Sequence, residues 1–307
     1  MAQIIPSAHI SIVVPFYKNL IFIERLSNSL AQAIKASQYV FEIIVVIDSI
    51  ENTPNQIEYI FNEAFKNIPQ KLQLKVLKNE HNIGVAASRN KGIKNATGNW
   101  IHFIDQDDTI SSKLYLELTR FEYFDFVLFN GLFVFENKFK HAIYLIKPAL
   151  TLAHFIVNDF VRSPGQVVLK RSLIKDIEFR TAHCAKGCDD RFFWIEILAK
   201  NADMKLAYCR KKMYNAHIHT NNFGSNVIGL YACSIELWNA IIDLIPVANK
   251  KGVQQNLDLL DFLVNGKKKW ANLKAYLFYQ FNVNKILRFI VKKAGLFFFN
   301  LQLFNHD

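Results

Sequence analysis

Over its first 110 residues the chain alternates short apolar runs with stretches in which apolar positions recur every three to four residues. Ile10-Ser11-Ile12-Val13-Val14-Pro15, Phe41-Glu42-Ile43-Ile44-Val45-Val46-Ile47-Asp48 and Trp100 to Ile104 are compact enough to predict buried strands, and Leu72 to Leu77 alternates as a third strand in the series. Between them, Leu20 to Ser37 carries Ile23, Leu26, Leu30, Ala33 and Ile34 at helical spacing, and Ile57 to Phe65 predicts a second helix. A third helix opens at Gly84, carries Arg89 and Asn90, and ends at Ala96-Thr97-Gly98 with glycine at the expected C′ position. Strands alternating with helices predict parallel βαβ units with right-handed crossovers, an α/β fold.

The second half is less regular. Phe124 to Asn130 and Leu132 to Phe135 predict a strand pair broken at Gly131, whose aromatics suit a core better than a sugar platform. Leu152 to Phe160 predicts a helix, Val167 to Lys170 a short strand, and Asp189 to Asn201 a helix with two acids in its first turn. A short strand at Lys205 to Cys209 leads to a polar stretch, Tyr214 to Ser225, that suggests a flexible lid with His217 and His219 at alternate positions. Ile228 to Leu244, Gln255 to Val264 and Trp270 to Phe298 then read as helices. The expected division is a domain over 1–225 and a helical region over 226–307.

Composition changes this picture in one place. The 307 residues are 51% apolar, enough for a sizeable core, and the net charge is +11. Between Phe262 and His306 lie eight Lys or Arg and no Asp or Glu, so the tail supplies most of the charge and the body is nearly neutral. In the tail, Val283, Ile286, Leu287, Ile290 and Ala294 share a helical face opposite Lys285, Arg288 and Lys292. That pattern suits a helix lying on an anionic membrane surface, or a helix packed on the body with a solvated basic face. The N-terminus reads as no signal peptide and no apolar run is long enough to span a bilayer, so the expected location is cytoplasmic, with peripheral attachment to the inner face of the cytoplasmic membrane. Cys184, Cys188, Cys209 and Cys233 match no common zinc spacing and are expected to be reduced thiols.

The stretch with most chemistry is Asp105-Gln106-Asp107-Asp108, three carboxylates within four residues at a strand end. Such carboxylates repel unless a cation sits among them, and hard oxygen ligands suit Mg²⁺ or Mn²⁺ that also takes substrate phosphate oxygens. The plainer reading is an acidic turn with Asp108 or Thr109 capping the next helix. Strand-end Asp48 and Asp105, with Arg89 on the third helix, would line one crevice suited to a nucleotide.

Ser11 to Tyr17, Glu42 to Asp48, Asn82-Ile83-Gly84 through Ala87-Ser88-Arg89-Asn90-Lys91-Gly92, and Asp105 to Asp108 together resemble family 2 glycosyltransferases of GT-A fold, over about residues 9 to 110. The resemblance implies a mostly parallel mixed sheet flanked by helices, a nucleotide-sugar donor (usually a UDP-sugar) and a divalent metal. It implies Pro15 and Tyr17 beside the base, Asp48 and Arg89 at the base edge, Asp105 near the ribose, Gln106 among the donor-binding residues and Asp107 on the metal. Ser49 stands where the family often has a second acid. The acidic pair Asp189-Asp190 matches the family's acceptor-facing pair, which implies Asp190 as general base with Asp189 orienting it, and Phe193 matches the family's aromatic. His219 is assigned to the metal, although spacing alone does not separate it from His217. The expected activity is inverting transfer to a glycan acceptor, lipid-linked if the tail lies on a membrane, in bacterial surface polysaccharide or lipooligosaccharide synthesis. Two rivals are an inactive glycosyltransferase-like partner subunit, against which the presence of Asp107 and Asp190 argues, and a nucleic-acid-binding protein, against which the near-neutral body argues.

Overall fold

A computed structural model describes residues 9–68, 72–137, 139–157, 159–181, 187–219 and 227–265. The first four strands, β1 (Ile10–Phe16), β2 (Phe41–Ile47), β3 (Leu72–Lys78) and β4 (Trp100–Phe103), run parallel in the order β3-β2-β1-β4. Both faces of β1, β2 and β4 are covered, which is why these segments read as continuous apolar runs rather than alternating ones. The sheet continues through β8 (Val167–Lys170), β6 (Phe126–Phe135), β9 (Leu206–Ile218) and β5 (Thr109–Ile110), with β7 (Lys140–Ala142) paired to the second half of β6 along the edge it shares with β8. In this half β8 is antiparallel to β4 and to β6, β6 and β9 are parallel, and β5 is antiparallel to β9.

Helices α1 (Leu20–Lys35), α2 (Pro54–Phe65) and α4 (Leu114–Leu118) bury their apolar residues against one face. On the other face lie α3 (Val85–Lys94), α5 (Leu152–Val157), α6 (Asp189–Lys200), α7 (Val227–Ile241) and α8 (Val247–Asn265). Cys233, Leu237, Trp238, Val253 and Leu260 of α7 and α8 are buried in the same cluster as Phe192, Phe193 and Trp194 of α6. The basic tail beyond residue 265 lies outside the described residues, as does Cys184. No helix among the described residues is long and apolar enough to cross a membrane.

Four local expectations need correcting. Gly131 does not break a strand pair: β6 runs through it with irregular pairing to β9 around Phe129 to Gly131. Its glycine serves close approach instead, since a Cβ there would sit 2.5 Å from the carbonyl oxygen of Tyr214. The strand expected at Lys205 to Cys209 continues to Ile218, so Tyr214 to Ile218 is paired sheet rather than lid; residues 220–226 lie outside the described residues. Gly98 is not the C′ residue of α3, which ends at Lys94 with Asn95 as C-cap; a Cβ on Gly98 would sit 2.6 Å from Ser11 N. The second helix starts one turn early, at Pro54, because Thr53 and Gln56 form a capping box before it.

Two buried polar groups pin the sheet. The Glu42 carboxylate, at the amino end of β2, accepts hydrogen bonds from Ser11 Oγ, from Thr97 N and Oγ1, from Gly98 N and from Lys75 Nζ. Burial pushes this carboxyl up, but those donors more than offset it and hold it below the usual carboxylate range. His102, fully buried in β4, contacts Tyr115 Oη through Nδ1 and the carbonyl of Gly165 through Nε2, each at 2.9 Å. The carbonyl can only accept, so Nε2 carries the proton and Nδ1 accepts from the tyrosine. Burial holds this imidazole neutral, pushed down to about 4.

Candidate active site

The carboxyl ends of the parallel strands β1, β2 and β4 lie side by side, the edge at which ligands bind in open α/β sheets. Asp48, just past β2, is buried: Oδ1 accepts from Asn79 Nδ2 at 2.9 Å and from Ile83 N at 2.8 Å, and Oδ2 accepts from Gly84 N at 2.8 Å. These bonds hold the turn into α3, where Gly84 takes φ 86°, a conformation that favours glycine. Pro15 is buried in β1 opposite Val46, and Tyr17 follows it, 44% exposed, on the loop into α1. The Gln106 side chain clasps that loop: Tyr17 N donates to its Oε1 at 2.7 Å and its Nε2 donates to the Tyr17 carbonyl at 2.9 Å.

The acid cluster splits three ways. Asp105 accepts from Arg89 Nη2 at 2.6 Å. Asp107 Oδ2 meets His219 Nε2 at 2.8 Å, and the Asp107 carbonyl accepts from Arg25 Nη2 on α1. Burial first, then the neighbouring Asp105 charge, pushes the Asp107 carboxyl up, while His219 pulls it back. Asp108 turns inward and is buried. Its Oδ2 accepts from Tyr214 Oη and Ser163 Oγ, and its Oδ1 accepts from His217 N at 2.9 Å. Asp108 therefore caps no helix, and Thr109 opens β5 rather than α4. The Asp108 bonds fasten β9 to the acidic loop, which delivers His219 to Asp107. His217 points elsewhere, with Nε2 3.1 Å from Thr109 Oγ1, and is held neutral at about 4 by burial and by Arg25, Lys140 and His219.

The second acidic pair opens α6. Asp189 is buried, and its Oδ2 accepts from Arg89 Nη1 at 2.9 Å. Asp190 is part-buried and accepts from the N–H of Arg191. Burial, then the neighbouring Asp189 charge, pushes the Asp190 carboxyl up to about 8, and Arg89 only partly opposes them. Phe193, one turn on, is buried and stacks on Phe179 with centroids 3.8 Å apart. Every candidate site residue thus lies at this end of the sheet or on its flanking helices. Sequence reasoning missed Arg25, the Asp108 hub and the Arg89–Asp189 pair. An arginine on the first turns of α1 was the one available signal for Arg25; the other two join segments about a hundred residues apart.

Among the described residues no group of three His, Cys, Asp or Glu side chains is arranged to hold a metal ion. Asp107 and His219 do form a carboxylate–imidazole pair; the carboxylate suits Mg²⁺ or Mn²⁺ with phosphate oxygens and water in the remaining positions, and an imidazole nitrogen favours Mn²⁺ of the two.

The model of the family described as glycosyl transferase family 2 matches residues 11–177. The poly(ribitol-phosphate) β-N-acetylglucosaminyltransferase TarS of Staphylococcus aureus is 30% identical over 192 residues, covering 60% of this chain and 31% of TarS. The chain therefore spans about a third of the length of that relative. The Escherichia coli UDP-Glc:α-D-GlcNAc-diphosphoundecaprenol β-1,3-glucosyltransferase WfgD is 25% identical over 194 residues, covering 62% of this chain and 70% of WfgD. Among solved structures, S. aureus TarS 1–349 in complex with UDP-GlcNAc superposes with a TM-score of 0.62 at 24% identity, covering 87% of this chain and 78% of that one. A mannosyltransferase from Pyrobaculum calidifontis in complex with GDP-Man and Mn²⁺ has a TM-score of 0.55 at 12% identity over 98% of this chain and 88% of that one. The fold is GT-A, and with more than half of its length matched by the family model this chain belongs to glycosyl transferase family 2.

Proposed function

We propose that this enzyme moves a sugar from a UDP-sugar to a glycan acceptor, with inversion at the anomeric carbon, in the synthesis of a bacterial surface glycan. The observation that carries this reading is that one guanidinium touches both acidic clusters. Arg89 bonds Asp105 beside the candidate metal ligand Asp107, and Asp189 beside Asp190. A single sugar ring can then be flanked by a diphosphate-binding side and a base. Relatives named for UDP-linked or GlcNAc transfer support the donor class, and WfgD, named for a diphosphoundecaprenol-linked acceptor, supports a lipid-linked acceptor.

In this reading the Asp48 turn, Tyr17 and Pro15 hold the nucleoside, and Asp105 the ribose. Asp107 and His219 hold a divalent ion, which when bound would stabilise negative charge on the leaving diphosphate. Asp190 accepts the proton of the attacking hydroxyl. A base titrating at about 8 is strong enough to take that proton as the bond forms and is partly ionised at neutral pH. Attack from the Asp190 side, opposite the diphosphate, inverts the anomeric centre. The protein would work in the cytoplasm against the membrane, using the basic tail. Release of UDP from a panel of UDP- and GDP-sugars, with and without Mn²⁺, tests the reading. UDP release that needs Mn²⁺ and disappears in Asp190→Asn is expected; GDP-sugar preference or metal-independent turnover contradicts it.

A further inference from the structure

The Arg89 guanidinium is buried and held between two carboxylates. Nη2 donates to Asp105 at 2.6 Å and Nη1 to Asp189 at 2.9 Å, and the side chain is 5% exposed. Nε is buried with no hydrogen-bond partner among the described residues, so its third donor direction is closed to solvent as well. Its Cζ lies over the Phe179 ring, 5.2 Å from the centroid. Phe179 is fixed in turn, because the neighbouring Asn90 side chain bonds both its N–H, at 2.7 Å, and its carbonyl, at 2.8 Å. Phe179 also stacks on Phe193. Helix α3 therefore grips the start of α6 at two points one turn apart, by the ion pair to Asp189 and through Phe179 to Phe193.

The buried Asp189 carboxylate and the part-buried Asp105 carboxylate come from different segments and would repel each other without a cation between them, and a buried charge is tolerated only when paired and hydrogen-bonded. Arginine meets this need because its planar fork serves two carboxylates at once and stays charged, whereas lysine offers one point charge. Asp190 sits next along α6, and the hydrogen bond it accepts among the described residues is from the Arg191 N–H rather than from Arg89.

We infer that Arg89 is a positioning residue, which locks the first turn of α6 to the donor-side acid Asp105 and so sets where Asp190 stands, instead of contacting the donor base. The inference rests on the reading of Asp190 as base given above, and it assigns the orienting role of Asp189 to its pairing with Arg89.

The test uses the full chain and three variants. Arg89→Lys keeps the charge and loses the fork, Asp189→Asn keeps shape and leaves Arg89 on Asp105, and Asp190→Asn reports on the base itself. UDP affinity with Mn²⁺ is measured by calorimetry, backbone hydrogen exchange is followed over residues 187–193, and kcat and KM are measured for UDP-sugar hydrolysis. We expect Arg89→Lys and Asp189→Asn each to speed exchange across that first turn and to lower kcat about a hundredfold. UDP affinity and donor KM should stay within about twofold. Combining the two substitutions should cost no more than either one alone, since both break the same pair. Arg89→Lys that weakens UDP binding about tenfold while exchange at 187–193 is unchanged overturns the inference and returns Arg89 to the base. Wild-type protein that fails to bind UDP, or an active Asp190→Asn variant, defeats the proposed function instead. The exchange measurement still decides the role of Arg89 in that case.

Discussion

His219 Nε2 lies 2.8 Å from Oδ2 of Asp107, across 112 residues of chain. The first lies just past the end of a strand that the sequence pattern ended early, the second in the acidic loop after β4. In the proposed reading their meeting turns a single carboxylate into a two-donor metal site. Asp107→Ala is expected to abolish the Mn²⁺-dependent part of UDP binding. His219→Ala should weaken it by roughly tenfold to a hundredfold, the worth of one contact to a charged group. Calorimetry with UDP at fixed Mn²⁺ checks both, and unchanged affinity in either variant removes that residue from the metal.

Asp190→Asn should leave UDP affinity intact and cut transfer by about 10²–10⁴-fold, the usual contribution of a positioned base. The pH profile carries an independent signature. A base works deprotonated, and burial beside Asp189 raises this carboxyl from 3.8 to about 8. Turnover should therefore rise with pH up to about 8, fall tenfold per unit below it, and lose this limb in the variant. A wild-type rate flat from pH 6 to 9, within the ~1-unit spread of such groups, contradicts the assignment.

His102 gives the fold an acid limit. Its folded-state value is lowered from 6.5 to about 4, so the unfolded chain binds the proton first as pH falls. The stability it protects is whole above 6.5 and is lost progressively down to about 4, amounting to roughly 3 kcal/mol. Denaturant melts of the wild type and His102→Gln at pH 7.5 and 4.5 should show the larger acid loss in the wild type. Equal losses would mean that this ring is not the sensor.

Glu42 is the stability pin at the opposite end of the sheet from the site. Glu42→Ala strands Lys75, Ser11, Thr97 and Gly98 N–H without their acceptor, and the expected loss is about 3–5 kcal/mol, as for a broken buried pair. Gly98→Ala should also destabilise, by about 1–3 kcal/mol, because its new Cβ meets Ser11 N at 2.6 Å in backbone that cannot move cheaply. Thermal melts check both; a variant melting with the wild type refutes the corresponding contact.

Deleting residues 262–307 removes eight basic residues and no acid apart from Asp307. Co-sedimentation with anionic phospholipid vesicles should fall on deletion and in high salt. Undiminished binding by the truncated chain would place the membrane contact elsewhere.

The parallel half of this protein was readable along the chain because its signals are local. A buried strand announces itself in four to seven apolar residues, a helix in its spacing, and an acid at a strand end marks the rim where ligands sit. That sufficed for β1 to β4, for α1 and for the motifs of the family. It also placed Asp189 and Asp190 correctly in the first turn of α6. The rest depended on partners distant in sequence. Nothing near residue 131 says whether glycine turns the chain or lets another strand approach, and the answer came from Tyr214 in β9. Nothing near residue 214 reveals that Asp108 and Ser163 wait for its hydroxyl, which is why the start of a polar segment looked like a lid while Tyr214 to Ile218 is sheet. The same holds for Arg89. Its charge and helix were plain from the residues alone, but its partner was decided by packing α3 and α6 on one face of the sheet, which brings together two carboxylates that need a shared cation.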